Sequence, residues 1–246
     1  MSLKEVTLAE MKETDGEVDV AIVDVDDAVQ DGVAVIKSGE LKPDASGLVR
    51  DASVLAQDAS GLVRDASGLV RDASGLVRDN ETLEHYKNLN EKTRNLSKRI
   101  SVFSLNLKRF VKLAETTDAS GLVRDASGLV RDASGLVKNA SKLVEYVSEL
   151  AKGTKAESEF ENLKEKANAL EEKADALEKK AGNLQYTTDP SDPIKDPSEI
   201  VKNASGLVRD ASGLVRDASE AVRSAFKPVE DIPQRKKPEI KPKRTP

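Results

Sequence analysis

The sequence predicts an all-α protein. Long amphipathic heptad-repeat helices form an elongated antiparallel bundle or coiled coil, followed by a disordered, basic, Pro-rich C-terminal tail. Three observations carry this expectation. The first is composition: among 246 residues, 34% are charged and only 3% aromatic. Buried aromatics contribute roughly 150–250 Å² each and dominate ordinary cores. Four Phe and three Tyr cannot build such a core, whereas an apolar share of 38%, mostly Ala, Val and Leu, suits helices.

The second observation is a seven-residue unit, Asp-Ala-Ser-Gly-Leu-Val-Arg. It occurs unchanged at 44–50, 58–64, 65–71, 72–78, 118–124, 125–131 and 210–216. Near copies at 51–57, 132–138, 139–145, 203–209 and 217–223 bring the total to twelve. Identity down to Ser and Gly points to recent duplication of a short coding segment. On a helical wheel Val lies about 40° to one side of Ala and Leu about 60° to the other, a stripe about 100° wide. A strand keeps one face with a period of two, so an odd unit inverts at every copy. A β-solenoid turning at Asp-Ala-Ser-Gly is the rival reading, and helix is preferred.

The third observation is the uncopied sequence. Tyr86, Leu89, Thr93, Leu96, Ile100, Phe103, Leu107, Phe110 and Ala114 alternate spacings of three and four. Phe160, Leu163, Ala167, Leu170, Ala174, Leu177, Ala181 and Leu184 do the same. This is the spacing of a helix–helix seam. In the copied units Ala and Leu take the same two roles, as at Ala45 and Leu48 or Ala119 and Leu122.

Along the chain, residues 1–43 form an acidic segment with eleven acids against four Lys. Ser2 with Glu5 reads as a capping box opening a helix over about 3–13. Thr14 with Glu17 reads as a second box. Val18, Ile22, Val25, Val29 and Ile36 then fit a helical face, with Val18, Val20 and Ile22 also fitting a strand. Gly39 and Pro43 end the segment. Residues 44–186 form the heptad-repeat region. Its stretch 44–116 can run as one helix of about 110 Å, with a bend or break near Asn80–Tyr86 where the seam shifts by one residue. Asp118 is a candidate N-cap for a helix over 118–152. Gly153 is a candidate C-cap, and Thr154 with Glu157 a further box before a charged helix over 155–186. Residues 187–198 form a linker with Pro190, Pro193 and Pro197. Asp196-Pro197-Ser198-Glu199 reads as a helix start, leading into a repeat helix over 199–226. The tail, 227–246, holds seven Lys or Arg against three acids.

The repeat carries a physical conflict. Gly in a helix interior costs about 1 kcal/mol against Ala, and nine of the fourteen Gly lie inside units. Asp and Arg of neighbouring units miss the i,i+4 spacing of the standard intrahelical ion pair. An isolated repeat helix is therefore marginal and needs a packing partner for its stripe.

Chemistry is sparsely signalled. The chain has no Cys and one His, His85, which excludes disulfides, thiolate zinc sites and clustered His ligands. His85 reads as a solvated or partly packed helix residue, because no nucleophile is signalled beside it. Asp24, Asp26, Asp27 and Asp31 suggest a Ca²⁺ loop only superficially. Counting from Asp24, Val29 stands where the loop needs Gly and Val35 where it needs Glu. Asn80, Asn95, Asn139 and Asn203 begin glycosylation sequons by chance. No phosphate-binding Gly loop is present. Arg235, Lys236, Lys237, Lys241, Lys243 and Arg244 form a basic cluster without aromatics for base stacking. The net charge of −5 makes nucleic acid an unfavoured partner.

No catalytic, cofactor-binding or metal-binding residues are therefore expected. The expected function is that of a non-enzymatic helical repeat protein, a structural or interaction module. Its partner is a second copy or another helical protein. The alternative is an amphipathic coat for lipid or other hydrophobic surfaces, or a stress-related, conditionally folded chain. With no signal-peptide core and no membrane-length apolar run, a cytoplasmic location is the expectation.

Overall fold

A computed structural model describes residues 2–39, 41, 43–115, 119–184 and 197–226. The linker and tail expectations, and Asp118 as a cap, fall largely or wholly outside these residues. Six α-helices occur among the described residues. They are α1 (Leu3–Ser38), α2 (Pro43–Ala73), α3 (Asn80–Ala114), α4 (Ala119–Leu150), α5 (Glu157–Leu184) and α6 (Pro197–Phe226).

Local signals set several helix ends. Ser2 and Glu5 form the expected reciprocal capping box of α1. Gly39 ends α1 with φ of 73°, a left-handed conformation that costs Gly nothing. Gly153 has φ of 72° between α4 and α5. Asp79 caps α3: its carboxylate accepts from the Thr82 amide at 2.8 Å, and Thr82 Oγ1 accepts from the Asp79 amide at 3.0 Å. The Thr82 amide first, and then the Thr82 hydroxyl donating to the same carboxylate, hold the Asp79 carboxyl below the ordinary carboxylate value.

Three expectations need correction. Thr14 does not open a second helix, because α1 is continuous from Leu3 to Ser38. Thr14 is fully buried, and its hydroxyl donates to Asn90 Oδ1 at 2.8 Å. Residues 44–116 are not one helix. A 3₁₀ turn at Ser74–Leu76 and extended backbone at Val77 precede the Asp79 cap, so the chain reverses a few residues before the seam shift. Thr154 and Glu157 do not form a reciprocal box. The Glu157 carboxylate accepts from the Gly153 amide and Thr154 Oγ1 from the Ala156 amide. Glu157 thus reaches back to the amide of the left-handed Gly153 and not to that of Thr154.

The helices pack as two layers of three around one continuous core. One layer holds α1, α2 and α6, and the other α3, α4 and α5. Sequential neighbours run antiparallel, as the Ser134–Ala174 and Ser141–Ala167 bonds between α4 and α5 require. Alternation along the chain makes α2, α4 and α6 point one way and α1, α3 and α5 the other. The three helices built from copied units therefore run parallel and meet in the middle of the bundle.

The core follows the expected positions closely. Tyr86, Leu89, Leu96, Ile100, Phe103, Leu107 and Phe110 are all fully buried. So are Ala52, Ala59, Ala66 and Ala73 of α2, Ala126, Ala133 and Ala140 of α4, and Ala204, Ala211 and Ala218 of α6. Small residues at these positions let helix axes approach closely. The buried stripe is wider than the three apolar residues, because the unit's Ser is also buried, at Ser60, Ser134 and Ser212 for example. On the wheel this extends the stripe to about 160°.

Candidate functional site

A buried hydroxyl needs a hydrogen-bond partner, and the Ser of several units finds one on another helix. In α4, Ser134 and Ser141 donate to the Ala174 and Ala167 carbonyls of α5 at 3.3 and 3.2 Å. In α6, Ser205, Ser212 and Ser219 donate to the carboxylates of Asp58, Asp65 and Asp72 of α2. The cation four residues further along α6 meets the same carboxylate. Arg209 reaches Asp58 at 3.0 Å, Arg216 reaches Asp65 at 3.0 Å and Arg223 reaches Asp72 at 2.8 Å.

These contacts form a ladder. Ser and Asp at each rung are 147 residues apart, a whole number of seven-residue units, so every rung repeats the last in a parallel pair. A fourth rung joins Asp51 to Ser198 and Lys202. It lies beyond the twelve recognised units, but residues 196–202 read Asp-Pro-Ser-Glu-Ile-Val-Lys. That is a diverged copy retaining Asp, Ser, Val and the terminal cation, and the sequence carried its signal. Because α6 starts at Pro197, this rung falls partly inside the span read as a linker.

The electrostatics follow from the ladder. Hydrogen bonding to Asp58 and Asp72 pushes the Arg209 and Arg223 guanidinium pKa values up. The Asp side chains are the sequestered half: Asp65 is 21% exposed against 64% for Arg216. Removing a buried charged acceptor leaves the Ser donor unpaired, whereas an exposed ion pair contributes little. Asp65→Ala is therefore expected to lower stability by about 1.5–3 kcal/mol, and Arg216→Ala by less than about 1 kcal/mol. Urea denaturation of the two variants checks the order, and equal losses would refute this division of the rung.

A second electrostatic feature joins α1 to α3. Residues 3–38 carry ten acids against three Lys, and residues 80–114 eight Lys or Arg against three acids. The two helices run parallel, with Arg94 bridging Glu10 and Glu13 at 3.6 and 2.7 Å and Lys98 lying 3.9 Å from Glu17. The acidic segment thus finds counter-charge in α3, a match already present in the composition of the two stretches.

On the far side of α3, Asn106 donates to Asp132 of α4 at 2.8 Å. Burial pushes the Asp132 carboxyl above its ordinary value, with the Asn106 bond acting in the opposite sense. A raised acid pKa in the folded state means that ionised Asp132 costs stability at neutral pH. That cost disappears as pH falls through the raised pKa. Asp132→Asn keeps an acceptor for Asn106. Its thermal midpoint is expected at or above the parent's at pH 7, with any advantage lost on acidification. A lower midpoint at pH 7 would contradict this. Between α4 and α5, Lys138 contacts Asp175 at 2.7 Å and Glu178 at 3.0 Å. Those contacts, Asp175 first, raise the Lys138 pKa.

The residues weighed for chemistry are scattered. His85 is half-buried in the first turns of α3, close enough to act electrostatically on Glu149 of α4. Asp24 accepts from Ser101 at 2.8 Å, while Asp26, Asp27 and Asp31 are exposed on a continuous helix. Helical geometry points these carboxylates in different directions, unlike the convergent ligands of a Ca²⁺ loop. The basic cluster from Arg235 lies outside the described residues. No helix among the described residues is long and apolar enough to cross a membrane. What the ladder achieves chemically is phase: it holds two repeat helices side by side with their units aligned.

No protein-family model, curated protein or solved structure matches the chain.

Proposed function

We propose that this protein is a non-enzymatic structural or interaction module, a rigid helical rod whose partner is another helical surface. The observation that carries this reading is the ladder. Copied units of α2 direct their Asp at the Ser and Arg of copied units of α6. A polar set engaged in holding helices together supports an architectural role.

The lipid-coat alternative needs the Leu-Ala-Val stripe to leave the core, where Leu62, Ala66 and Val70 have no exposure. Opening would forfeit about 25 cal/mol per Å² of apolar surface and unpair the Ser donors. The deciding measurement is circular dichroism through a thermal ramp, with and without anionic vesicles. The module reading expects strong helicity in plain buffer and a cooperative transition that vesicles leave in place. A spectrum lacking helix in buffer, or helicity appearing only with vesicles, would reject it.

A further inference from the structure

Most large apolar side chains of the bundle point inward, but α1 and α3 carry six exposed ones, and besides Leu8 and Val33 four of them lie within two short mid-helix stretches. Val20 is 62% exposed, Val23 59%, Val102 52% and Leu105 63%. Scattered apolar residues at a surface need no explanation, whereas a contiguous set does. Val20 and Val23 stand three residues apart on α1, and Val102 and Leu105 three apart on α3. Val20 borders a groove with Gly16 on α1 and Lys98 and Ser101 on α3. Leu105 lies four residues beyond Ser101, on the same face of α3.

The spacing matches that of the internal seams. On α1 the outward series runs Glu13, Gly16, Val20, Val23, Asp27, alternating three and four. On α3 it runs Lys98, Val102, Leu105, Arg109, Lys112 in the same alternation. The two stripes are also level. The Asp24–Ser101 and Glu17–Lys98 contacts place each α1 residue beside the α3 residue 77–81 positions later. Val23 therefore stands level with Val102. Each apolar pair is flanked by charge of one sign, acidic on α1 and basic on α3.

We propose that this face binds a second copy of this chain, about a two-fold axis running along the helices. This rests on the reading of the protein as a helix-interaction module and names its partner. The axis direction follows from charge. A two-fold along the helices lays α1 of each copy on α3 of the other, acidic stripe on basic stripe, with the valines and leucines meeting at one height. A two-fold across the helices would lay α1 on α1, acid on acid, and is disfavoured.

The test is sedimentation velocity of the full chain from low to high micromolar concentration, at low and high salt, beside a thermal melt. A dimer that forms with concentration and weakens with salt is expected. The double variant Val23→Glu with Leu105→Glu should lose at least tenfold in self-association while its melt stays unchanged, because both residues are already exposed. Asp27→Lys with Asp31→Lys should abolish dimers, as should Arg109→Glu with Lys112→Glu. Mixing those two charge-reversed chains should restore a dimer, since each then offers the sign that the other lacks. A wild-type chain that melts cooperatively but stays monomeric at every concentration overturns this proposal and leaves the module reading standing. Association unaffected by Val23→Glu with Leu105→Glu overturns it as well. A chain with no cooperative helical melt overturns both.

Discussion

Replacing Gly47, Gly68, Gly128, Gly206 and Gly213 together by Ala is expected to stabilise the protein by about 2–5 kcal/mol. A Cβ added at any of the five meets no atom within 4 Å. Each is helical, so Ala fits the backbone and restricts the unfolded chain, for about 0.4–1 kcal/mol apiece. The sites lie far enough apart for near-additivity. For a chain of this size the sum corresponds to roughly 5–20 °C in thermal midpoint. No gain, or a loss, would show that the units need Gly for helix curvature. Gly32 is the contrasting control. A Cβ there would lie 2.8 Å from Ser53 Oγ, with Val49 and Val111 close behind, and the Ser53 hydroxyl is bonded to the Val49 carbonyl at 2.9 Å. Gly32→Ala is expected to destabilise. The units thus retain a residue that costs helix stability with no packing reason at five positions, as expected of copied sequence.

Phe103→Ala is expected to cost about 3–5 kcal/mol, the range for emptying a fully buried aromatic site. Phe103 has no exposure and sits in α3, which packs on α1, α2 and α4. Leu207→Ala, in a copied unit and only partly buried, should cost clearly less. Denaturant titration of both variants measures the difference. A Phe103→Ala loss no larger than that of Leu207→Ala would refute the view that the scarce aromatics anchor the bundle.

Much of the fold was legible because it is local. Helix type, the identity of the inward face and the stops at Gly39 and Gly153 depend on residues within a turn or two. The unit's buried Ser was misplaced because a hydroxyl on a wheel counts as polar. In six units that burial is matched by a carbonyl or carboxylate supplied by another helix. Asp and Arg were read as failing to pair for a similar reason. They pair across 151 residues and not within a helix. The acidic α1 and basic α3 could have been matched from composition, and the fourth rung from the diverged copy at 196–202.

The unit at 72–78 marks the limit of local reading. Its seven residues are identical to those at 58–64, which are wholly helical, yet here the helix ends at Ala73, tightens to a 3₁₀ turn and extends at Val77. The difference lies outside the unit. Asp79 and Thr82 cap a new helix immediately after it, and Arg78 donates to the Lys152 carbonyl at 3.2 Å.

By itself the sequence determined that the chain is helical and which residues of each helix face inward, because periodicity and capping are short-range properties. The tertiary structure alone decided that α2 and α6 lie parallel with Asp, Ser and Arg in rungs. Identical units offer identical stripes, so shifting one helix by seven residues exchanges one good pairing for another of the same kind. Only the uncopied helices, with the aromatics of α3 and α5 and the unequal charges of α1 and α3, make one arrangement better than the rest.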